Sequence, residues 1–351
     1  MALPASGQIT LNQVNVELGN SGTAQIGMND AAVRGLFGIA SGEIEMSDGY
    51  GKSSIAWYGS RAVFGGGYAS AVSNVMDYIT VATTGNATDF GDLSTARPNP
   101  DGLSDGSRGV FGGGELSYYS PSNVMDYITV ATTGNATDFG DLSLRRQNPG
   151  SVSDGTRGCF AGGRQGGNFY DRIDYITIAV TGNATDFGNL TIGRGSPAGT
   201  SNGPRGVIAG GSYGNIVSSI DYIAIGTTGN ASDFGDLTQA TFDLAAATNT
   251  TRGVFAGGNT ADDNSSATNV ISYITIASTG NATDFGDLTV RSVSLGGTSD
   301  NSRGVFGGGY HSGGGTRLDV ISYINISSTG NATDFGNLTI SRYGAGALSG
   351  T

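Results

Sequence analysis

Arg108-Gly-Val-Phe-Gly-Gly-Gly114 is followed, after a divergent segment, by Thr133-Gly-Asn-Ala-Thr-Asp-Phe-Gly-Asp-Leu142. Both phrases recur six times. The first begins at Arg61, Arg108, Arg157, Arg205, Arg252 and Arg303, at spacings of 47, 49, 48, 47 and 51 residues. The second spans Thr84–Leu93, Thr133–Leu142, Thr181–Leu190, Thr228–Leu237, Thr279–Leu288 and Thr329–Leu338. A period of about 40–50 residues is that of four-stranded propeller blades.

Each repeat parses into four short strands. The apolar RGVFGGG phrase ends in glycines and reads as the strand near a crowded axis, where backbones approach closely. Ile173–Ala179 alternates with period two and is rich in β-branched and aromatic residues. Thr-Thr-Gly-Asn reads as a tight turn, and Ala-Thr-Asp-Phe-Gly-Asp-Leu as a third strand offering Phe90 and Leu93 for packing between blades. The fourth strand precedes the next arginine and is closed by Ser-Asp-Gly turns at Ser104–Gly106 and Ser153–Gly155. Ser53–Ser60 does not match that segment, whereas Tyr343–Thr351 does. The C-terminal strand is therefore expected to pair into the first blade and close the ring. The predicted fold is mainly β: a six-bladed propeller of four-stranded blades over residues 58–351, preceded by a small α+β module over residues 1–57.

These repeats resemble kelch-type propeller repeats. The residues that carry the likeness are the pair Gly66-Gly67, then Tyr78, Phe90 and Arg97. Phenylalanine stands throughout where kelch repeats usually carry tryptophan, and the fourth repeat has Thr241 at the arginine position.

Residues 1–57 follow other rules. A shorter motif recurs as Ser6-Gly-Gln-Ile-Thr-Leu-Asn12, Thr23-Ala-Gln-Ile-Gly-Met-Asn29 and Ser41-Gly-Glu-Ile-Glu-Met-Ser47. Each reads as a brief strand ending at a good N-cap. Short helices are expected at Gln13–Leu18 and Asp30–Phe37, ended by Gly19 and Gly38. A module this small buries little surface alone, so it is expected to complete its fold against a partner or a copy of itself. SGQITLNQVNVELG, TAQIGMNDAAVRGLFG and SGEIEMSDGYGKS are similar to the N-terminal module of tailed-phage tail fibres and related virion proteins. That resemblance implies attachment to the particle, with the propeller as the distal part.

Composition removes several function classes. Seventeen basic residues against 29 acidic ones give a net charge of −12, a balance that repels phosphate backbones and argues against nucleic-acid binding. One cysteine, Cys159, forbids an intramolecular disulfide framework, and one histidine, His311, forbids a multi-histidine metal centre. No apolar run approaches the roughly 18–20 residues of a membrane span. The start, MALPASGQIT, lacks the basic and apolar regions of a secretory signal. A single lysine, Lys52, accompanies sixteen arginines, an imbalance with no explanation at this level.

Several motifs invite chemistry and fail. Asp-Phe-Gly appears six times, but no kinase companion motif is present and a catalytic motif is not tiled sixfold. Gly51-Lys52-Ser53 lacks the upstream glycine of a phosphate loop, where Met46 stands. The Asn-Ala-Thr/Ser triplets at Asn86, Asn135, Asn183, Asn230, Asn281 and Asn331 read as turns rather than glycosylation acceptors. Asp89 and Asp92 and their equivalents could hold calcium, although turn capping explains them more simply. No cofactor, metal or catalytic residue is expected.

The repeats are most informative where they differ. The segments after the glycines, such as Tyr68–Met76, Glu115–Met125 and Arg164–Ile173, vary in length and carry Tyr68, Tyr118, Tyr119, Phe169, Tyr170, Tyr213, Tyr310 and His311. The face opposite is expected to be tiled by near-identical Thr-Thr-Gly-Asn turns. Variation confined to one face marks a candidate ligand-binding surface. The leading expectation is a phage virion structural protein, a tail fibre or tail-associated appendage. It would be made in the host cytoplasm, joined to other virion proteins through residues 1–57, homo-oligomeric, and not inserted in a membrane. Its loops would bind a host surface glycan or protein. Two alternatives stay open: a glycan-cleaving depolymerase using loop acids such as Glu115, Asp171, Asp262, Asp263 and Asp319, and an architectural decoration or neck protein with no ligand.

Overall fold

A computed structural model describes residues 59–350, except 118–119, 262–265 and 312–314, together with Gln13, Val14, Leu18 and Val33. The chain divides into two compact units, Met1–Ala56 and Trp57–Thr351. In the first, Gln13, Val14 and Val33 are helical, Val14 and Val33 are buried, and the Leu18 N–H donates to the Val14 carbonyl at 3.0 Å. The rest of the expected attachment module lies outside the described residues.

The second unit is a six-bladed β-propeller whose blades are four-stranded antiparallel sheets. Blade two shows the plan. From the axis outward its strands are Asp101–Ser104, Arg108–Gly112, Val124–Thr129 and Thr137–Asp141. The strand nearest the axis is therefore the short one before the arginine, not the RGVFGGG strand, which is second. The physical reason is bulk. Gly102, Gly199 and Gly297 lie where an added Cβ would come within 2.1–2.6 Å of the neighbouring inner strand's carbonyl oxygen, whereas Val110 and Phe111 need the wider space further out.

Gly346–Gly350 supplies the innermost strand of blade one, pairing Leu348 with Val63 in the Arg61–Gly65 strand. The first and last parts of the propeller are thus sewn into one sheet. Between blades the apolar packing repeats. In the seam of blades one and two, Phe90, Leu93, Phe111 and Leu348 share a cluster with Ile128 and Val130.

The conserved phrases turn out to be blade-to-blade contacts. Tyr78 meets Phe90 edge to face, with centroids 6.0 Å apart, and the Arg61 guanidinium lies 4.4 Å above the Tyr78 ring. Arg61 Nη1 then donates to the Val130 carbonyl of the next blade at 2.9 Å. All six blades repeat this, and Arg303 closes the circle by reaching Val81 O. The Thr-Gly-Asn segment is not the tight turn. That turn comes one step earlier, where the Thr83 N–H donates to Thr80 O at 3.0 Å. Thr-Gly-Asn instead runs along the outer strand of the preceding blade: Gly134 N–H to Phe90 O (2.7 Å), Ala136 N–H to Asp92 O (2.8 Å), and Asp92 N–H to Asn135 Oδ1 (3.0 Å). Each outer edge is thereby covered, which removes the open strand edge that promotes aggregation. The asparagine of the formal glycosylation triplet has this structural partner.

Four buried ion pairs cross the seams: Arg97–Asp126, Arg146–Asp174, Arg194–Asp221 and Arg342–Asp77, at 2.7–3.0 Å with both side chains fully buried. At the other two seams Thr241 faces the blade carrying Ser272, and Ser292 faces the blade carrying Ser322. Thr241 is thus not the single exception to the arginine pattern. In the fifth repeat Arg291 is one residue early, and Ser292 holds the buried position. Both partners are neutral where one is, which avoids leaving a lone charge in a low-dielectric seam.

Candidate functional site

The loops after the glycine pairs and the connections from one blade to the next emerge on the same face of the ring. Six residues there, Asn99, Asn148, Ser196, Asp243, Ser294 and Gly344, each two residues before an inner strand, have φ between 52° and 68°. Each N–H donates to the carbonyl of its counterpart in the preceding blade, from Asn148 to Asn99 (3.0 Å) round to Asn99 to Gly344 (2.7 Å). This closed circle of six backbone hydrogen bonds frames the mouth of the central channel. Asn148 Nδ2 reaches Asp243 Oδ1 at 3.1 Å, from blade three to blade five.

Below the mouth, the inner strands enclose a cavity of about 160 Å³. Its wall is mostly small residues and hydroxyls. Ser151 Oγ donates to Gly102 O, Ser153 Oγ to Ser104 O, Ser201 Oγ to Ser153 O and Ser349 Oγ to Ser299 O, at 2.6–2.8 Å. These bonds satisfy inward-facing carbonyls that no fifth strand is present to pair. Asp101 is the exception in a position otherwise held by Gly150, Ala198, Ala245, Gly296 and Gly346. Burial pushes its carboxyl up to about 6, and burial also raises Asp243 at the mouth.

Around the mouth runs a second tier of six residue pairs. In each, the residue after the glycine pair lies against the residue that follows the buried Arg, Thr or Ser. The pairs are Tyr68–Tyr343, Glu115–Pro98, Arg164–Gln147, Ser212–Gly195, Asn259–Phe242 and Tyr310–Val293. No two are alike. The tier is uniform in backbone and different in chemistry at every blade.

The tyrosines converge on one sector. Tyr343 stands 5.5 Å from Tyr68 and 5.7 Å from Tyr310, centroid to centroid. The two-stranded hairpin Tyr310–His311 and Thr316–Arg317 sets Tyr310 opposite Arg317, and the Arg317 guanidinium lies 5.2 Å over the Tyr68 ring. Burial raises the Tyr343 hydroxyl above the ordinary phenol range, with Arg317 opposing the shift and Tyr68, Tyr310 and Glu115 adding to it. Glu115 takes the Gln147 amide at 2.8 Å, and Arg164 Nε donates to that amide's oxygen at 3.1 Å, when the amide is oriented to satisfy both neighbours.

Of the residues singled out from sequence, Tyr68, Tyr310 and His311 fall in this sector, His311 with Nδ1 3.2 Å from Arg291 O. Phe169 and Tyr170 belong to the separate hairpin of blade three, where the Tyr170 hydroxyl donates to Gln165 at 3.0 Å. Tyr213 stands exposed in blade four, and Tyr118 and Tyr119 lie outside the described residues. Sequence reading missed Tyr343 and Phe242. The signal was available: Pro98, Gln147, Gly195, Phe242, Val293 and Tyr343 differ at a fixed distance from a near-constant motif. Among the loop acids, Asp171 and Asp319 sit in blades three and six, across the ring from each other, while Asp262 and Asp263 lie outside the described residues. Among the described residues, no group of three or more acidic, cysteine or histidine side chains is arranged to hold a metal ion.

No known family model matches this chain, and no curated protein matches it.

Proposed function

We propose that this protein is a structural component of a tailed-phage virion, a tail fibre or tail-associated appendage, whose propeller binds the host surface through the face bearing the channel mouth. The single observation that carries the binding role is the tier of six non-identical pairs, set on a backbone ring that repeats almost without change. A scaffold held constant by seam contacts, with chemistry varied at one face, is the arrangement expected of a recognition surface. The resemblance of residues 1–54 to virion attachment modules supports the structural role, with docking proposed through that end. The reading involves binding without catalysis, in the virion, with self-association through the N-terminal module.

The test is direct. Antibodies to the full chain should label the tail region of purified particles in electron micrographs, and excess full-length protein should slow adsorption of those particles to host cells. Absence of the chain from purified particles overturns the structural role. Labelled particles whose adsorption is indifferent to the competing protein overturn the binding role.

A further inference from the structure

Resting on the host-surface reading, we infer that the seam of blades six and one is a saccharide subsite for a pyranose carrying a carboxylate. Three half-buried tyrosines, Tyr310, Tyr343 and Tyr68, cluster at the channel mouth, with Tyr343 inclined 33° to Tyr68 and 64° to Tyr310. Apolar ring faces of this kind suit the C–H faces of a pyranose ring, with the phenol hydroxyls at hand for its hydroxyl groups.

The acidic substituent is argued from Arg317. Its guanidinium lies on Tyr68, and among the described residues no carboxylate stands within ion-pair distance of it. Its Nε is buried without a hydrogen-bond partner. Of two other arginines on the post-glycine segments, Arg164 is committed to Gln147 and Arg172 lies 3.1 Å from Asp174. Arg317 is thus a cation fixed by stacking and short of an acceptor, on a protein whose net charge is −12. A planar guanidinium in this state matches a carboxylate through paired N–H···O bonds. A neutral sugar would leave it as it is.

The experiment titrates the full-length chain with a tetraglucuronate and with its carboxyl-reduced counterpart, a tetraglucose, by calorimetry, with sodium acetate as a control for simple anion binding. Tetraglucuronate should bind at least tenfold more tightly than tetraglucose, and acetate should not compete at equal concentration. Arg317→Gln should erase that preference while changing tetraglucose binding less than twofold. Tyr343→Ala should weaken both sugars tenfold or more, and circular dichroism with melting curves confirms that each variant is folded. Tyr343→Phe, which keeps the ring, should stay within threefold of the parent. Equal binding of the two sugars, displacement by acetate, or no sugar binding at millimolar concentration overturns the proposal. Unchanged adsorption to host cells by folded Arg317→Gln and Tyr343→Ala proteins overturns this subsite alone. Failure of the parent chain itself to adsorb to host cells overturns the wider reading.

Discussion

Arg342 and Asp77, 265 positions apart in the chain, meet with Nη2 2.9 Å from Oδ2 in the seam where the end of the propeller returns to its beginning. Thr339 Oγ1 also donates to the same carboxylate, and Arg342 Nη1 reaches Val75 O at 2.7 Å. The pair is repeated at three other seams and replaced by hydroxyl residues at two. That distribution makes its energetics testable, because the molecule already contains the neutral alternative.

Removing one partner strands a buried charge. Arg97→Thr or Asp126→Ser alone should each cost about 3–5 kcal/mol of unfolding free energy. The double variant, which copies the Thr241 and Ser272 arrangement, should cost at least about 2 kcal/mol less than the sum of the singles. Denaturant unfolding of the four proteins measures this, and simple additivity would show that the pair is not coupled.

Asp101 should make stability depend on pH in an unusual direction. Its carboxyl is raised to about 6 in the folded protein, so between roughly pH 4 and 6 the folded state binds more protons than the unfolded one. Its contribution is therefore full below pH 4 and is lost as pH rises to about 6. Asp101→Asn, whose Oδ1 can still accept the Gly102 N–H, should be more stable than the parent by on the order of 1–2 kcal/mol at pH 7.5 and indistinguishable from it at pH 3.5. Melting curves across this range provide the check, and a difference that grows toward low pH would refute the assignment.

Two glycines with positive φ should respond differently to alanine. At Gly140 (φ 137°) a Cβ would stand 2.5 Å from the Gly182 carbonyl oxygen of the next blade, whereas at Gly166 (φ 57°) it meets nothing within 4 Å. Gly140→Ala should cost about 3 kcal/mol or more, and Gly166→Ala about 1 kcal/mol from backbone strain alone. Chemical denaturation separates the two, and similar losses would mean that seam crowding is not what fixes Gly140.

Deleting Gly346–Thr351 removes the inner strand of blade one and uncovers the Arg61–Gly65 edge. The truncated chain should melt more than roughly 10 °C lower and aggregate on concentration. Light scattering during a thermal ramp reports both, and an unchanged transition would mean that blade one holds without its fourth strand.

The period, the six repeats, the strand content and the circular permutation of the last strand are all legible along the chain. These features are local: an apolar phrase, an alternating phrase and a glycine pair mark each unit wherever it sits. The sequence also separated variable segments from constant ones, because repeats can be compared within one chain. What the constant phrases are for emerges once the blades pack against one another. The excess of arginine over lysine becomes intelligible there. Six arginines stack on tyrosines while bonding the next blade, and four occupy buried pairs. Both tasks favour a planar fork with several donors over a point charge. Which strand lines the axis was likewise hidden, since glycine is abundant in both candidates and only the packing between inner strands distinguishes them. Tyr343 joined Tyr68 and Tyr310 for the same reason. Tyr310 and Tyr343 flank the outer strands of blade six, and ring closure brings Tyr68 of blade one beside Tyr343.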